Sequence, residues 1–160
     1  MSVRKVILCE DKHGGAFFKE LASLLKSKNL MPRSSGVDVT KFYGPCNVKL
    51  ERQLKAKMLR RACNFIIVVD ADGRNVGRVR NKVLEHVPPS FIGITCVVVL
   101  DYEIEDWICV SLGIRFNYKP SVALKHKLGY QKHNLKRYVP KLDIAKLMKC
   151  RSFCDFINCF

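Results

Sequence analysis

Residues Asn64 to Gly73 read NFIIVVDADG. Five apolar residues, Phe65 to Val69, run directly into Asp70-Ala71-Asp72 and then Gly73. A continuous apolar run rich in β-branched residues is what a strand needs when both of its faces are covered, as in a parallel sheet. The acids and glycine end it. They place two carboxylates just past the C-terminal end of the strand, where open α/β sheets present ligands.

The sequence on either side repeats this grammar. Val3 to Cys9 (VRKVILC) is a first strand. Gly14-Gly15 breaks it, and Ala16 to Lys26 carries Phe17, Leu21, Leu24 and Leu25 on one helical stripe. Gly36 to Tyr43 (GVDVTKFY) alternates apolar and polar residues, which predicts a half-exposed or edge strand stopped at Gly44-Pro45. Asn47 can cap a helix from Val48 to about Cys63, with Leu50, Leu54, Met58 and Leu59 inward and Lys49, Arg52, Lys55, Lys57, Arg60 and Arg61 outward. Gly73 to Val87 predicts another helix, burying Val76, Val79, Val83 and Val87 and exposing Arg74, Arg78, Arg80 and Lys82. Pro88-Pro89 stops it. Ile92 to Leu100 (IGITCVVVL) is a fourth strand. This alternation predicts an α/β fold with a mostly parallel four-stranded sheet flanked by helices, and right-handed crossovers.

Beyond Ile104 the pattern changes. A short helix carries Ile104, Trp107, Ile108 and Leu112, and Trp107 reads as core. Arg115 to Arg151 holds eleven Lys or Arg and one acid, Asp143, with Tyr118, Tyr130 and Tyr138 interleaved. Asp143 begins a helix of Ile144, Leu147 and Met148, and a last helix carries Phe153, Phe156, Ile157 and Phe160. The expected organisation is a core over 1–112 and a basic helical extension over 113–160 docked on it as one structural unit.

Composition narrows the class. The chain has 160 residues, 48% of them hydrophobic, enough for one domain with a packed core. No apolar run reaches the ~18 residues that cross a bilayer, and the N-terminal apolar stretch is too short for a signal peptide, so a cytosolic protein is expected. Eight cysteines include no Cys-x-x-Cys pair, which gives a zinc ribbon no support. Cys9, Cys63 and Cys96 read as small hydrophobes in or beside strands. Cys150, Cys154 and Cys159 read as one buried helix face in preference to a metal site or disulfide.

Charge points to a partner. Lys and Arg number 29 against 14 acids, a net +15, and nucleic acid is the polyanion such an excess meets by default. The alternative is a solvated basic surface. Eight of the 14 acids are not scattered: they form three clusters, Glu10-Asp11, Asp70 with Asp72, and Asp101, Glu103, Glu105 and Asp106, each following an apolar run. Carboxylates gathered at neighbouring strand ends repel unless a proton or cation joins them, and a hard divalent cation suits oxygen donors. Taken singly, each cluster is also what a solvated turn after a strand looks like.

The segments ILCE (Ile7–Glu10), IVVDADG (Ile67–Gly73) and Glu105-Asp106-Trp107 together resemble the Toprim superfamily, the catalytic fold of topoisomerases, primases and overcoming-lysogenization-defect nucleases. The nearest likeness is to its small stand-alone members, over about residues 3 to 110 and in the basic, Phe-rich tail. The resemblance implies Mg²⁺ or Mn²⁺ and phosphodiester chemistry. It implies Glu10 as a general acid/base or metal neighbour, Asp70 and Asp72 as the metal-binding pair with catalytic roles, and Glu105 as a third acid. Two departures stand out. Asp11 follows Glu10 where many members carry glycine, and Arg74 stands where many carry a further acid.

Lys12, His13 and Arg74 flank the acids, and Lys12 and Arg74 are candidate phosphate contacts. Lys125, Lys127, Lys132, Lys136 and Arg137, with His126 and His133, form the candidate backbone-binding patch, and Tyr130 and Tyr138 its stacking partners. The expected function is divalent-metal-dependent phosphodiester chemistry on DNA or RNA by a small nuclease. A nucleic-acid-binding module with little catalysis and a subunit or regulator of a nucleic-acid-processing complex stand as alternatives. A second copy or a partner protein is a further option, and no membrane is expected.

Overall fold

The computed structural model describes residues 3–42, 48–60 and 62–160. Four strands, β1 (Arg4–Cys9), β2 (Val37–Lys41), β3 (Cys63–Asp70) and β4 (Thr95–Leu100), form one sheet in the order β2-β1-β3-β4. All three pairings are parallel. The helices are α1 (Gly14–Ser27), α2 (Val48–Arg60), α3 (Val76–Leu84), α4 (Glu105–Leu112), α5 (Pro120–Leu128), α6 (Ile144–Leu147) and α7 (Arg151–Ile157). Pro89–Ile94 and Lys132–Lys141 are 3-10 segments. The expected cap at Asn47, the stop at Gly44-Pro45, and Tyr43 and Arg61 lie outside the described residues.

The central strands carry unbroken apolar runs, Val6–Cys9 and Phe65–Val69, because each feeds two cores. Side chains alternate across a strand. Phe65, Ile67 and Val69 therefore join Val6, Leu8, Val97 and Val99 under α2 and α3. Ile66 and Val68 join Ile7, Cys9, Val98 and Leu100 under α1, α4 and the C-terminal segments. β2 is the edge strand, and none of its residues is fully buried, as its polar alternation requires.

The second core is centred on Trp107. Its ring meets Phe153 and Phe156 of α7 at centroid distances of 5.1 and 5.5 Å, and Phe18 of α1 at 6.2 Å. The indole Nε1 donates to Ser152 Oγ at 3.0 Å, so the one polar atom of this buried ring has a partner. The residues after 112 thus pack into the same core as the sheet, through Leu124, Leu135, Leu147, Phe153 and Phe156.

Several local expectations are corrected. Gly14 and Gly15 do not separate strand from helix: they open α1. A Cβ on Gly14 would lie 3.1 Å from Cys9 Sγ and 3.2 Å from Ile104 Cδ1, so glycine lets the helix start press on the sheet edge. Ile92 to Ile94 belongs to a 3-10 segment, and only Thr95 onward pairs with β3. Leu59, expected inward, is 88% exposed at the end of α2. Arg80, expected exposed, is partly covered and ion-paired with Asp155 at 3.1 Å. Phe160 lies beyond the end of α7 but still packs on Phe156.

The largest correction concerns cysteine. Cys96 and Cys159 are joined by a disulfide, with Cα atoms 6.0 Å apart across 63 residues of sequence. Cys150, Cys154 and Cys159 do not share one buried helix face. Cys150 precedes α7, Cys154 is a half-buried free thiol on it, and Cys159 lies past its end, where the chain returns to the start of β4. No local spacing announces a pair made by tertiary packing.

A cross-link spanning 63 residues removes loop entropy worth about 4 kcal/mol from the unfolded chain. We predict that reductant lowers the denaturant midpoint of the wild-type protein by a corresponding amount. The Cys96→Ala variant should start at the lower midpoint and ignore reductant. A wild-type midpoint insensitive to reductant would remove the clamp from the account.

Candidate active site

β1 and β3 are adjacent, yet the chain leaves them in opposite directions, β1 toward β2 and β3 toward β4. The crevice between their C-terminal ends is the switch point of the sheet, where helices and connections diverge and leave a ligand-sized opening. Glu10 follows the last residue of β1, and Asp70 is the last residue of β3. Pairing of Cys9 with Val68 brings the two strand ends level to within about a residue.

The Asp70–Gly73 loop is tied to the exit of β4. Ala71 N donates to Leu100 O at 2.9 Å, Asp72 N to Tyr102 O at 3.2 Å and Gly73 N to Asp101 O at 2.8 Å. This path needs left-handed backbone at Asp72 (φ 50°) and Gly73 (φ 76°). A Cβ on residue 73 would also sit 3.0 Å from the Tyr102 ring, so glycine is required there twice over. Arg74 folds back over the loop, its Nε donating to Ala71 O at 2.8 Å and its guanidinium 3.9 Å from Asp72. Lys119 reaches Asp72 from the other side at 3.5 Å.

Burial and mutual repulsion set the protonation of the pair. The Asp70 carboxyl is pushed up to about 8, first by burial and then by the charge of Glu10, against the attraction of Lys132. Glu10 is raised as well, mainly by burial, with a backbone hydrogen bond at Asp70 acting in the opposite direction. Both groups thus hold protons more tightly than free carboxyls do, and a nearby cation would reverse this.

The third acidic strand end has a cation of its own. Lys132 Nζ, from the C-terminal 3-10 segment, lies 2.9 Å from Asp11, 3.6 Å from Glu103 and 3.8 Å from Glu105. Burial would lower its affinity for a proton, but the hydrogen bond to Asp11 and the carboxylate charges raise it overall. Glu105 is fully buried; its Oε1 accepts from Tyr130 Oη at 2.6 Å, and its Oε2 has no hydrogen-bond partner among the described residues. Glu103 Oε1 accepts from Ser121 N at 2.9 Å. Asp106 accepts from the backbone N–H groups of Tyr102 and Glu103, and burial pushes it up to about 7. Asp11 also accepts from His13 N at 2.6 Å, bracing the turn into α1.

The expected residues therefore divide. Glu10, Asp70 and Asp72 lie around the switch point, with Arg74 beside them. Glu105 is electrostatically coupled to Asp70 but is held by Tyr130 and Lys132. Lys132, expected on the phosphate-binding patch, is turned into the acids instead. Tyr130, expected to stack on bases, is buried, because its hydroxyl is the donor that Glu105 requires. Tyr138 is partly covered, edge-on to Tyr130 at 5.5 Å, with Lys141 over its ring. Lys12, Lys125, Lys127, Lys136 and Arg137 are exposed, as a surface patch requires. The roles of Tyr130 and Lys132 had no local signal: each lies at least 25 residues from the acid it meets in Glu105.

Among the described residues, no three His, Cys, Asp or Glu side chains come together closely enough to hold a metal by themselves. Also among them, no helix is long and apolar enough to cross a membrane. No protein-family model matches the chain, and no curated protein or solved structure matches it significantly.

The raised Asp70 carboxyl has a thermodynamic consequence. An unfolded Asp releases its proton near pH 4, whereas folded Asp70 keeps it to about pH 8. The folded state therefore binds more protons between these limits, and stability falls as pH rises through them. Asp106 acts in the same direction up to about pH 7. We predict a falling thermal midpoint from pH 5 to pH 8 in chelator, a shallower fall in Asp70→Asn, and a higher midpoint for that variant at pH 8. An unchanged pH slope in Asp70→Asn would show that Asp70 ionises normally.

Proposed function

We propose that the protein is a divalent-metal-dependent phosphodiesterase acting on nucleic acid, of the Toprim type that its three acidic segments resemble. The observation that carries this reading is the side-by-side placement of Glu10 and Asp70 at the switch point of a parallel sheet, under a rim of Arg74 and Lys119. The protein's net charge of +15 supplies the attraction for a polyanionic substrate.

The donor set fits a hard cation. It consists of carboxylate oxygens, and burial with the charge of Glu10 leaves Asp70 holding a proton that a bound cation would displace. Asp70 and Asp72 would hold the ion, with Glu10 as its neighbour. Mg²⁺ is commonly held by one or two carboxylates with substrate phosphates and waters completing its shell, so a full protein cage is not required. When bound, Mg²⁺ or Mn²⁺ supplies charge neutralisation at the phosphate and activation of water. Arg74 and Lys119, both partly exposed, orient phosphate oxygens over the crevice. Glu10, at the end of β1 beside the metal-holding pair, takes a proton from the attacking water or returns one to the leaving oxygen.

A second reading has its own support. Lys132 sits among Asp11, Glu103 and Glu105 and offsets part of their charge from within, which suits a binding module whose acidic edge already has a cation of its own. The two readings diverge in one assay. Cleavage of single- and double-stranded DNA and RNA is measured with Mg²⁺ or Mn²⁺, for wild type and for Asp70→Asn/Asp72→Asn. The phosphodiesterase reading expects wild-type cleavage and at least a hundredfold loss in the variant, on the order of what positioned electrostatic groups contribute. Nucleic-acid binding without cleavage under every condition would leave the binding module.

A further inference from the structure

A second feature lies beside the carboxylates, shares Lys119 with their rim and goes beyond both readings above. Between α4 and α5 the chain crosses Gly113 to Lys119 and encloses an open cleft of about 450 Å³. Its walls are Arg115, Phe116, Tyr118, Lys119, Val122 and His126. The size is that of a small-ligand cleft. Its composition is three basic side chains, two aromatic rings and no carboxylate among the lining residues.

The cleft is joined to the switch point by direct contacts. Lys119 lines it and also reaches Asp72 Oδ1 at 3.5 Å. Tyr102, packed over Gly73, meets the Phe116 ring edge-on at 5.8 Å, and its hydroxyl approaches Asn117 O at 3.5 Å. The wall of the cleft and the acidic loop are therefore parts of one packed unit. Apart from Lys119, the polar groups that face the opening are not used internally. Tyr118 is 61% exposed and stacks on no other ring among the described residues. Arg115 and His126 have no hydrogen-bond or ion-pair partner among those residues either.

Basic side chains beside an exposed aromatic face match the two halves of a nucleotide, phosphate and base. A duplex does not offer that combination, because its base faces are stacked on one another; an unpaired strand does. We infer that this cleft seats one unpaired nucleotide of a single-stranded nucleic acid, base against Tyr118 and phosphate against Arg115, Lys119 and His126. On the phosphodiester reading, on which this step rests, the neighbouring phosphate of the strand lies toward the Asp70–Gly73 loop, which Lys119 joins to the cleft. The same cleft makes the substrate single-stranded, or locally unpaired, at the reacting position.

Binding is tested apart from chemistry. A short labelled oligonucleotide, DNA or RNA, is titrated with protein in chelator, either alone or annealed to its complement. Tyr118→Ala should weaken single-strand binding about tenfold, the scale of one lost base–aromatic stack, and leave duplex binding within about twofold. Arg115→Gln should reduce the slope of log affinity against log salt by about 0.7, one phosphate contact to a single strand. Both residues are exposed, and unchanged thermal midpoints check that the variants fold. Equal single-strand affinity for wild type and Tyr118→Ala, or an equal loss on duplex, would overturn the inference. The two proposals fail separately. A Tyr118-dependent single strand on a protein that never cleaves keeps the cleft and removes the phosphodiesterase. Cleavage by a protein indifferent to Tyr118 does the reverse.

Discussion

The parallel ladder between β1 and β3 is the constraint on which the rest of the structure depends. Both strands are buried on both faces, so neither can slip or turn without moving apolar side chains out of two cores at once. Parallel pairing sends every strand end to the same edge. Acids that follow the strands in sequence must therefore meet in space. Glu10 and Asp70 are neighbours because the hydrophobic core requires it, although their charges oppose the arrangement.

That repulsion is met locally. Arg74 and Lys119 flank Asp72, and Lys132 sits among Asp11, Glu103 and Glu105. Two of these three cations come from beyond residue 112. The C-terminal segment is thus an electrostatic part of the sheet edge as well as a layer of its core. Packing around Trp107 and the Cys96–Cys159 cross-link hold it in place, and the same docking forms the cleft of Arg115 to His126. A loosened tail would withdraw the counter-charges and the cleft together.

Elements whose signal is local were legible in the chain. β3 and β4 announce themselves by uninterrupted apolar runs, and the edge position of β2 by its alternation. Asp143 caps α6 as its position predicts, its carboxylate accepting from Lys146 N at 3.1 Å. Boundaries were less legible. Ile92–Ile94 has strand-forming residues, but the chain is still turning after Pro88-Pro89 and has not reached its partner strand. Leu59 fits the apolar pattern of α2 yet lies at its last turn, past the reach of the sheet. Gly14 and Gly15 look like breakers because propensity disfavours them in a helix. Their lack of side chains is what lets α1 begin against Cys9 and Ile104.

By itself the sequence determined the alternation of elements, the parallel four-stranded sheet and the edge at which its acids gather. All of these follow from residues close together in the chain, where periodicity and backbone sterics act. Only the tertiary structure decided what those acids face. Tyr130 and Lys132 turn from a basic surface to partners of Glu105, Cys159 finds Cys96, and Arg115 and Tyr118 come to line a cleft that Lys119 joins to the Asp70–Gly73 loop. These meetings depend on how a long basic tail packs around one tryptophan. Pairwise contacts at such separations are chosen by the shape of the whole core and leave no mark on local sequence.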